Sequence, residues 1–119
     1  MSILNFDIAS LPLYTVTTVT ATGATTLVAA PGAGQRIVVH GLRVYLLTNT
    51  TQLVESEFNG TPGMFFSQGN SLGTSPLNID LTGSPWALAD NAALTYACTL
   101  SAASTPTLRV QVLFQRALR

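Results

Sequence analysis

Three features of this sequence predict an all-β fold, an antiparallel β-sandwich of about eight strands, jelly-roll type, with an extended N-terminal arm. Short runs rich in Val, Thr and Leu alternate between apolar and polar residues, the period of a strand with one face buried. Clusters of Gly, Pro, Asn and Ser separate those runs at sandwich-like spacing, and no segment keeps a helical period for more than a turn or two. The chain has 119 residues, enough for one core and too few for a second domain.

The arm spans residues 1–13 and the sandwich domain residues 14–119. Ile3, Leu4, Phe6, Ile8, Leu11 and Leu13 are apolar but too irregularly spaced for a helix or a strand, and Pro12 closes the segment. Apolar residues on such a segment need cover from the chain's own core, a neighbouring subunit or a larger surface, so these six form a candidate interface. Tyr14 to Ala21, YTVTTVTA, suits a pleated, half-exposed strand. Thr22-Gly23 turns the chain into a strand from Thr25 to Ala30. Pro31-Gly32-Ala33-Gly34-Gln35 then forces a reversal, because Pro lacks an amide donor and Gly supplies φ > 0. The whole stretch Ala24 to Leu47 reads as a β-hairpin whose second strand, from Arg36 to Leu47, is the central one.

That second strand breaks simple alternation. Ile37 and Val39 share one parity, while Leu42, Val44 and Leu46 share the other. A β-bulge at His40-Gly41 restores agreement, with those five residues inward and Arg36, Val38, His40, Arg43 and Tyr45 outward. The alternative is a central strand covered on both faces. Val38, His40, Arg43 and Tyr45 carry little charge for an open surface and form a second candidate interface.

Asn49-Thr50-Thr51 makes a polar corner. In the strand Gln52 to Phe58, Val54 and Phe58 face inward and Glu55 and Glu57 face water. Residues 59–75, NGTPGMFFSQGNSLGTS, read as loop, short strand, loop around Met64-Phe65-Phe66. Leu77, Ile79 and Leu81 alternate with Asn78 and Asp80, a turn at Thr82 to Pro85 leads to Trp86-Ala87-Leu88, and Ala89 to Ala92 form a corner. The last third alternates most cleanly, with Leu94, Tyr96, Cys98 and Leu100 inward, then Leu108, Val110, Val112 and Phe114. It reads as a second hairpin.

Composition narrows the function. Charged residues make up 8% of the chain against a usual ~25%, the net charge is zero, and lysine is absent. Five arginines, scattered except for Arg116 and Arg119 near the C-terminus, which read as a solvated tail, give no basic patch for nucleic acid. No apolar run approaches the ~18 residues of a membrane helix, and the first residues carry no basic region of a secretory signal. A surface this poor in charge is best covered by copies of the chain or by a larger partner. The single cysteine, Cys98, excludes an internal disulfide and lies in an apolar run, as a buried inert thiol does.

Catalytic machinery is thin. His40 is the one imidazole, no nucleophile elbow surrounds any serine, and Glu55 and Glu57 lack a flanking aromatic cleft. Neither a metal site nor a cofactor fingerprint is present. Asn49-Thr50-Thr51 and Asn59-Gly60-Thr61 match the glycosylation sequon, a match without weight in the absence of a secretion signal. Trp86, with Phe65 and Phe66, could build a ligand-binding tip of the lectin kind, against which stands ordinary core packing.

The run Thr20-Ala21-Thr22-Gly23-Ala24-Thr25-Thr26-Leu27-Val28-Ala29-Ala30, a Gly-rich turn and Arg36-Ile37-Val38-Val39-His40-Gly41-Leu42 resemble the opening of many small all-β virion proteins of tailed bacteriophages. Gly83-Ser84-Pro85-Trp86 to Ala93-Leu94-Thr95-Tyr96 and the strand Leu108 to Phe114 fit the same type. The resemblance implies a decoration or cement subunit on the capsid exterior, without catalysis or cofactor. It implies a homo-oligomer, most simply a trimer, bound to the major capsid protein or another virion protein. Such a protein would be made in the cytoplasm of a host bacterium and end on the virion surface. The resemblance carries no site motif. Two other readings stay open: a receptor- or glycan-binding module of a head fibre, tail fibre or spike, with Phe65, Phe66 and Trp86 at its tip, and a small hydrolase using His40.

Overall fold

A computed structural model describes residues 7–8, 12–47, 53–59, 61–62, 70–71, 77–100 and 107–118. Among them there is no helix, and the strands are β1 (Asp7–Ile8), β2 (Leu13–Val19), β3 (Thr25–Val28), β4 (Gln35–Leu46), β5 (Leu53–Phe58), β6 (Thr61–Pro62), β7 (Asn70–Ser71), β8 (Leu77–Asp80), β9 (Trp86–Ala87), β10 (Leu94–Leu100) and β11 (Leu108–Leu118). They form two antiparallel sheets. In sheet A the central pair β11 and β4 is flanked by β1 and β2 beside β11 and by β8 and β9 beside β4. Sheet B runs β3, β10, β5, with β6 and β7 both on the far edge of β5. Because the two-residue strands share edge positions, each sheet is four strands wide, a sandwich of eight strand positions.

The core lies between the sheets and comes from the inward parity of each strand. Val19, Ile37, Val39, Leu42, Val44, Leu46, Leu108, Val110, Val112 and Phe114 supply it from sheet A, and Leu27, Val28, Val54, Phe58, Leu94, Tyr96 and Cys98 from sheet B. One polar pair is enclosed there. The Ser56 and Tyr96 hydroxyls are 2.9 Å apart, and the Tyr96 ring tilts against Phe58 at 5.2 Å. Burial pushes the Tyr96 phenol and the Cys98 thiol above their ordinary values. Cys98 is buried, as an inert thiol in an apolar run should be.

The bulge falls where the side-chain parity breaks. Leu113 pairs with Gly41 and Phe114 with Val39, so His40 is the extra residue and both halves of β4 turn their apolar side chains inward. Val38 departs from expectation: although its parity points outward, it is 1% exposed. A second register shift, between Leu94 and Thr95 against β3, leaves Leu27 as the extra residue there, which is why Leu27 and Val28 are consecutive and both buried.

Both expected hairpins are corrected. β3 pairs with β10, whereas β4 pairs with β11, β8 and β9, so the Gly-rich connection carries the chain from sheet B to sheet A. β10 and β11 likewise lie in different sheets. Alternation dictates which side chains face the core, but two strands joined by a short reversal can supply the two opposing faces of a sandwich as readily as neighbouring positions in one sheet. The reversal itself is as expected. Gly32 and Gly34 have φ of 112° and 80°, the Gln35 amide donates to the Gly32 carbonyl at 3.1 Å, and the Gly32 amide donates to Asn91 Oδ1 at 2.8 Å. Asn91, at φ 52°, holds the corner before β10 and ties it to the start of β4 through a 2.7 Å bond from its amide to the Gln35 carbonyl.

Candidate binding face

The outer face of sheet A is built by alternation, reset in β4 by the bulge at His40. In β2, β11, β4 and β8 the residues between the buried ones project away from the core, and the register lines them up in cross-strand rows. One row runs Tyr14, Leu113, Gly41, Asp80. The next runs Val16, Gln111, Arg43, Asn78, and a third Thr18, Arg109, Tyr45. Tyr14 and Val16 are 61% and 47% exposed, unusual for large apolar side chains on an edge strand.

Gly41 interrupts the first row with no side chain, and the face sinks there into an open hollow of about 280 Å³. Tyr14 and Leu113 bound it on one side, Asp80 and Thr82 on the other, and Arg43, Asn78 and Gln111 lie along the next row. His40, the bulge residue, reaches its rim, and its Nε2 lies 2.8 Å from Gln115 Oε1. Asp80 Oδ1 accepts bonds from the Thr82 amide at 3.0 Å and the Thr82 hydroxyl at 2.8 Å. The amide bond, then the hydroxyl bond, hold its carboxyl below the ordinary value, so it is ionised at neutral pH. The Arg43 guanidinium sits 5.4 Å from the centre of the Tyr45 ring, and Gln111 Nε2 donates a long 3.4 Å bond to the Tyr45 hydroxyl. The hollow thus has an apolar floor, an aromatic wall, one fixed carboxylate, one guanidinium and two carboxamides.

The four residues expected to form an outward row divide here. His40, Arg43 and Tyr45 share this face, while Val38 is closed off within the chain. Beside Val38, Arg36 Nε is buried with no hydrogen-bond partner among the described residues. Of the arm, Asp7 and Ile8 pair with Leu118 and Ala117 on the edge of sheet A, and Leu13 opens β2 and packs on the core. Ile3, Leu4, Phe6 and Leu11 lie outside the described residues, as do Phe65 and Phe66. Trp86, opposite Val39 in β9, packs against the core cluster. Tyr14, Asn78, Asp80 and Gln111 were not foreseen as neighbours, since they come from strands far apart in the chain. The signal available was the isolated Gly41 within a strand.

The sheet B face differs in charge. Its outward side chains on β5 are Glu55 and Glu57, across from Thr99 and Ala97. Among the described residues no group of three or more His, Cys, Asp or Glu could hold a metal ion, and no helix is long and apolar enough to cross a membrane.

No family model and no curated protein matches the chain. Among solved structures it resembles a chain of the cyanophage Pam1 capsid asymmetric unit, with TM-score 0.52 and 18% identity over 97% of this chain and 90% of that one. At that identity the likeness is one of fold, extending over nearly the full length of both chains.

Proposed function

We propose that this chain is a structural protein of a phage virion that binds the capsid exterior as a decoration subunit and stabilises the shell, without catalysis. The observation that carries the reading is the fold shared, end to end, with a chain of a cyanophage capsid asymmetric unit. The strand order supports it. Successive long strands step between the sheets, with β2, β11, β4 and β8 in one and β3, β10, β5 and β6 in the other, an order we read as a jelly roll.

The physical task is to add buried area that opposes shell expansion. Two surfaces are suited to it: the apolar arm at residues 1–13, of which Asp7 and Ile8 lie along the chain's own sheet, and the outer face of sheet A. Burying several arm side chains on a capsid or a neighbouring copy contributes about 1.5–3 kcal/mol each before ordering costs. A trimer is the simplest assembly, and the low charge of the chain favours such burial, since few ions need to be desolvated.

The test is occupancy. Capsids lacking the protein are mixed with purified chain or with a variant deleted for residues 2–12, and bound protein is measured after sedimentation. The full chain saturates the particles and raises their disruption temperature, and the deletion variant does neither. Undiminished binding by the deletion variant would remove the arm from the account.

A further inference from the structure

Gly41 has no structural need to be glycine. Its φ is not positive, and a Cβ built there would meet only the Ile79 carbonyl oxygen at 3.6 Å and Leu113 Cβ at 3.8 Å, both ordinary contacts. A glycine inside a central strand weakens it and gives its neighbours nothing to pack on. What it provides here is the hollow on the outer face of sheet A.

We propose that this hollow is a binding site for a neutral saccharide, one pyranose ring of a glycan seated over Gly41. The lining has the chemistry for it. The exposed Tyr14 ring offers an aromatic face to the C–H side of a sugar. The Asp80 carboxylate accepts hydroxyl protons, the Arg43 guanidinium donates, and the Asn78 and Gln111 amides can each donate and accept, which suits vicinal hydroxyl pairs. Thr82 occupies Oδ1 of Asp80, fixing the carboxylate in place, while Oδ2 has no partner among the described residues.

Charge and size select among ligands. Arg43 and Asp80 balance each other on the lining, so an anionic ligand gains nothing net. A dry protein partner would have to desolvate both ions, whereas a sugar brings hydroxyls to satisfy them. A cavity of ~150 Å³ holds benzene, so an open hollow of about 280 Å³ admits a single six-membered ring with its hydroxyl groups. Among the described residues the lining includes neither Trp86 nor a residue of the arm, and the site stands whether or not the chain decorates a capsid.

The experiment is an amide-resolved NMR titration of the full chain with methyl glycosides of glucose, galactose, mannose and N-acetylglucosamine, and with sialic acid as the anionic control. At least one neutral glycoside shifts the amides of residues 14, 40–43, 78–82 and 111–113 with saturable millimolar affinity. Gly41→Val, whose side chain fills the hollow, weakens that affinity at least tenfold while its unfolding midpoint stays level or rises, and Asp80→Asn weakens it several-fold. The proposal is overturned if no neutral glycoside shifts these amides, if the shifts fall elsewhere, if Gly41→Val binds as well as the parent, or if sialic acid binds more tightly than every neutral sugar. It is also overturned if the same amides shift with protein concentration alone and added sugar leaves that change unaltered, since the occupant would then be a second copy.

Discussion

Deleting His40 should cost about half as much as deleting Val44 from the same strand, which should come close to unfolding the protein. The reasoning rests on register. Gly41 pairs with Leu113 and Val39 with Phe114, so His40 has no partner of its own on β11. Removing it joins two residues whose partners are already adjacent, and every inward side chain of β4 keeps its face. On the other edge, Gly41 pairs with Asp80 and Val39 with Trp86, and the five residues between those partners can absorb the change. The loss amounts to one partly buried side chain with its 2.8 Å bond to Gln115 and the 2.8 Å bond that the His40 carbonyl accepts from the Leu81 amide, about 1–3 kcal/mol for the two bonds.

Deleting Val44 removes a fully buried side chain and moves its predecessors by one position. Even if the bulge absorbs the slip, Leu42 turns outward and Arg43 inward. Two buried apolar side chains at about 1.5–3 kcal/mol each make a loss of about 3–6 kcal/mol, before the cost of burying a guanidinium. That is a large part of the ~5–15 kcal/mol that holds a domain of this size together. Urea unfolding followed by tryptophan fluorescence and circular dichroism measures both variants against the parent. Equal destabilisation by the two deletions would show that His40 is an integral ladder residue and refute the parity argument.

Three further outcomes follow from the packing and the turns. Tyr96→Phe leaves the Ser56 hydroxyl buried without its partner and costs about 1–3 kcal/mol; Ser56→Ala costs less, because the Cys98 thiol remains beside the phenol, and the double variant is more stable than the sum of the two losses, measured as a double-mutant cycle by urea unfolding. Gly34→Ala forces a side chain onto φ 80° and lowers stability by about 1–2 kcal/mol, roughly 4 °C per kcal/mol in thermal melts, whereas Gly23→Ala, in open space without positive φ, leaves the midpoint unchanged. Burial raises the folded-state values of Tyr96 and Cys98 above the ordinary 10.0 and 9.0, so their contribution is complete below about pH 9 and is lost as pH rises further, because the unfolded chain ionises where the folded chain cannot; Tyr96→Phe flattens the decline above pH 10 in urea titrations.

How much of this was legible in the sequence depends on the range of the interaction. Periodicity is local, so the inward parity of β5, β8, β10 and β11 could be read directly, and the parity break in Ile37 to Leu46 marks the bulge in the sequence itself. Partner choice is not local. Pro31 to Gln35 declares a reversal, but whether the chain returns within one sheet or crosses to the other depends on where β11 and β10 already lie. The same holds for the hollow. His40, Arg43 and Tyr45 could be grouped because they sit on one strand, whereas Tyr14, Asp80 and Gln111 join them only through the register of four strands. Val38 shows the converse: its outward parity is correct, yet it is covered, and nothing in its immediate sequence says so.

The most direct test of the central claim is to examine purified phage particles from the source of this sequence. Gel and peptide mass spectrometry of the particles, with a cryo-electron microscopy reconstruction, should find the chain in many copies as sandwich-shaped density outside the shell, released by treatments that leave the shell itself closed. Its absence from purified particles, or density confined to the interior or to the tail, would contradict the account.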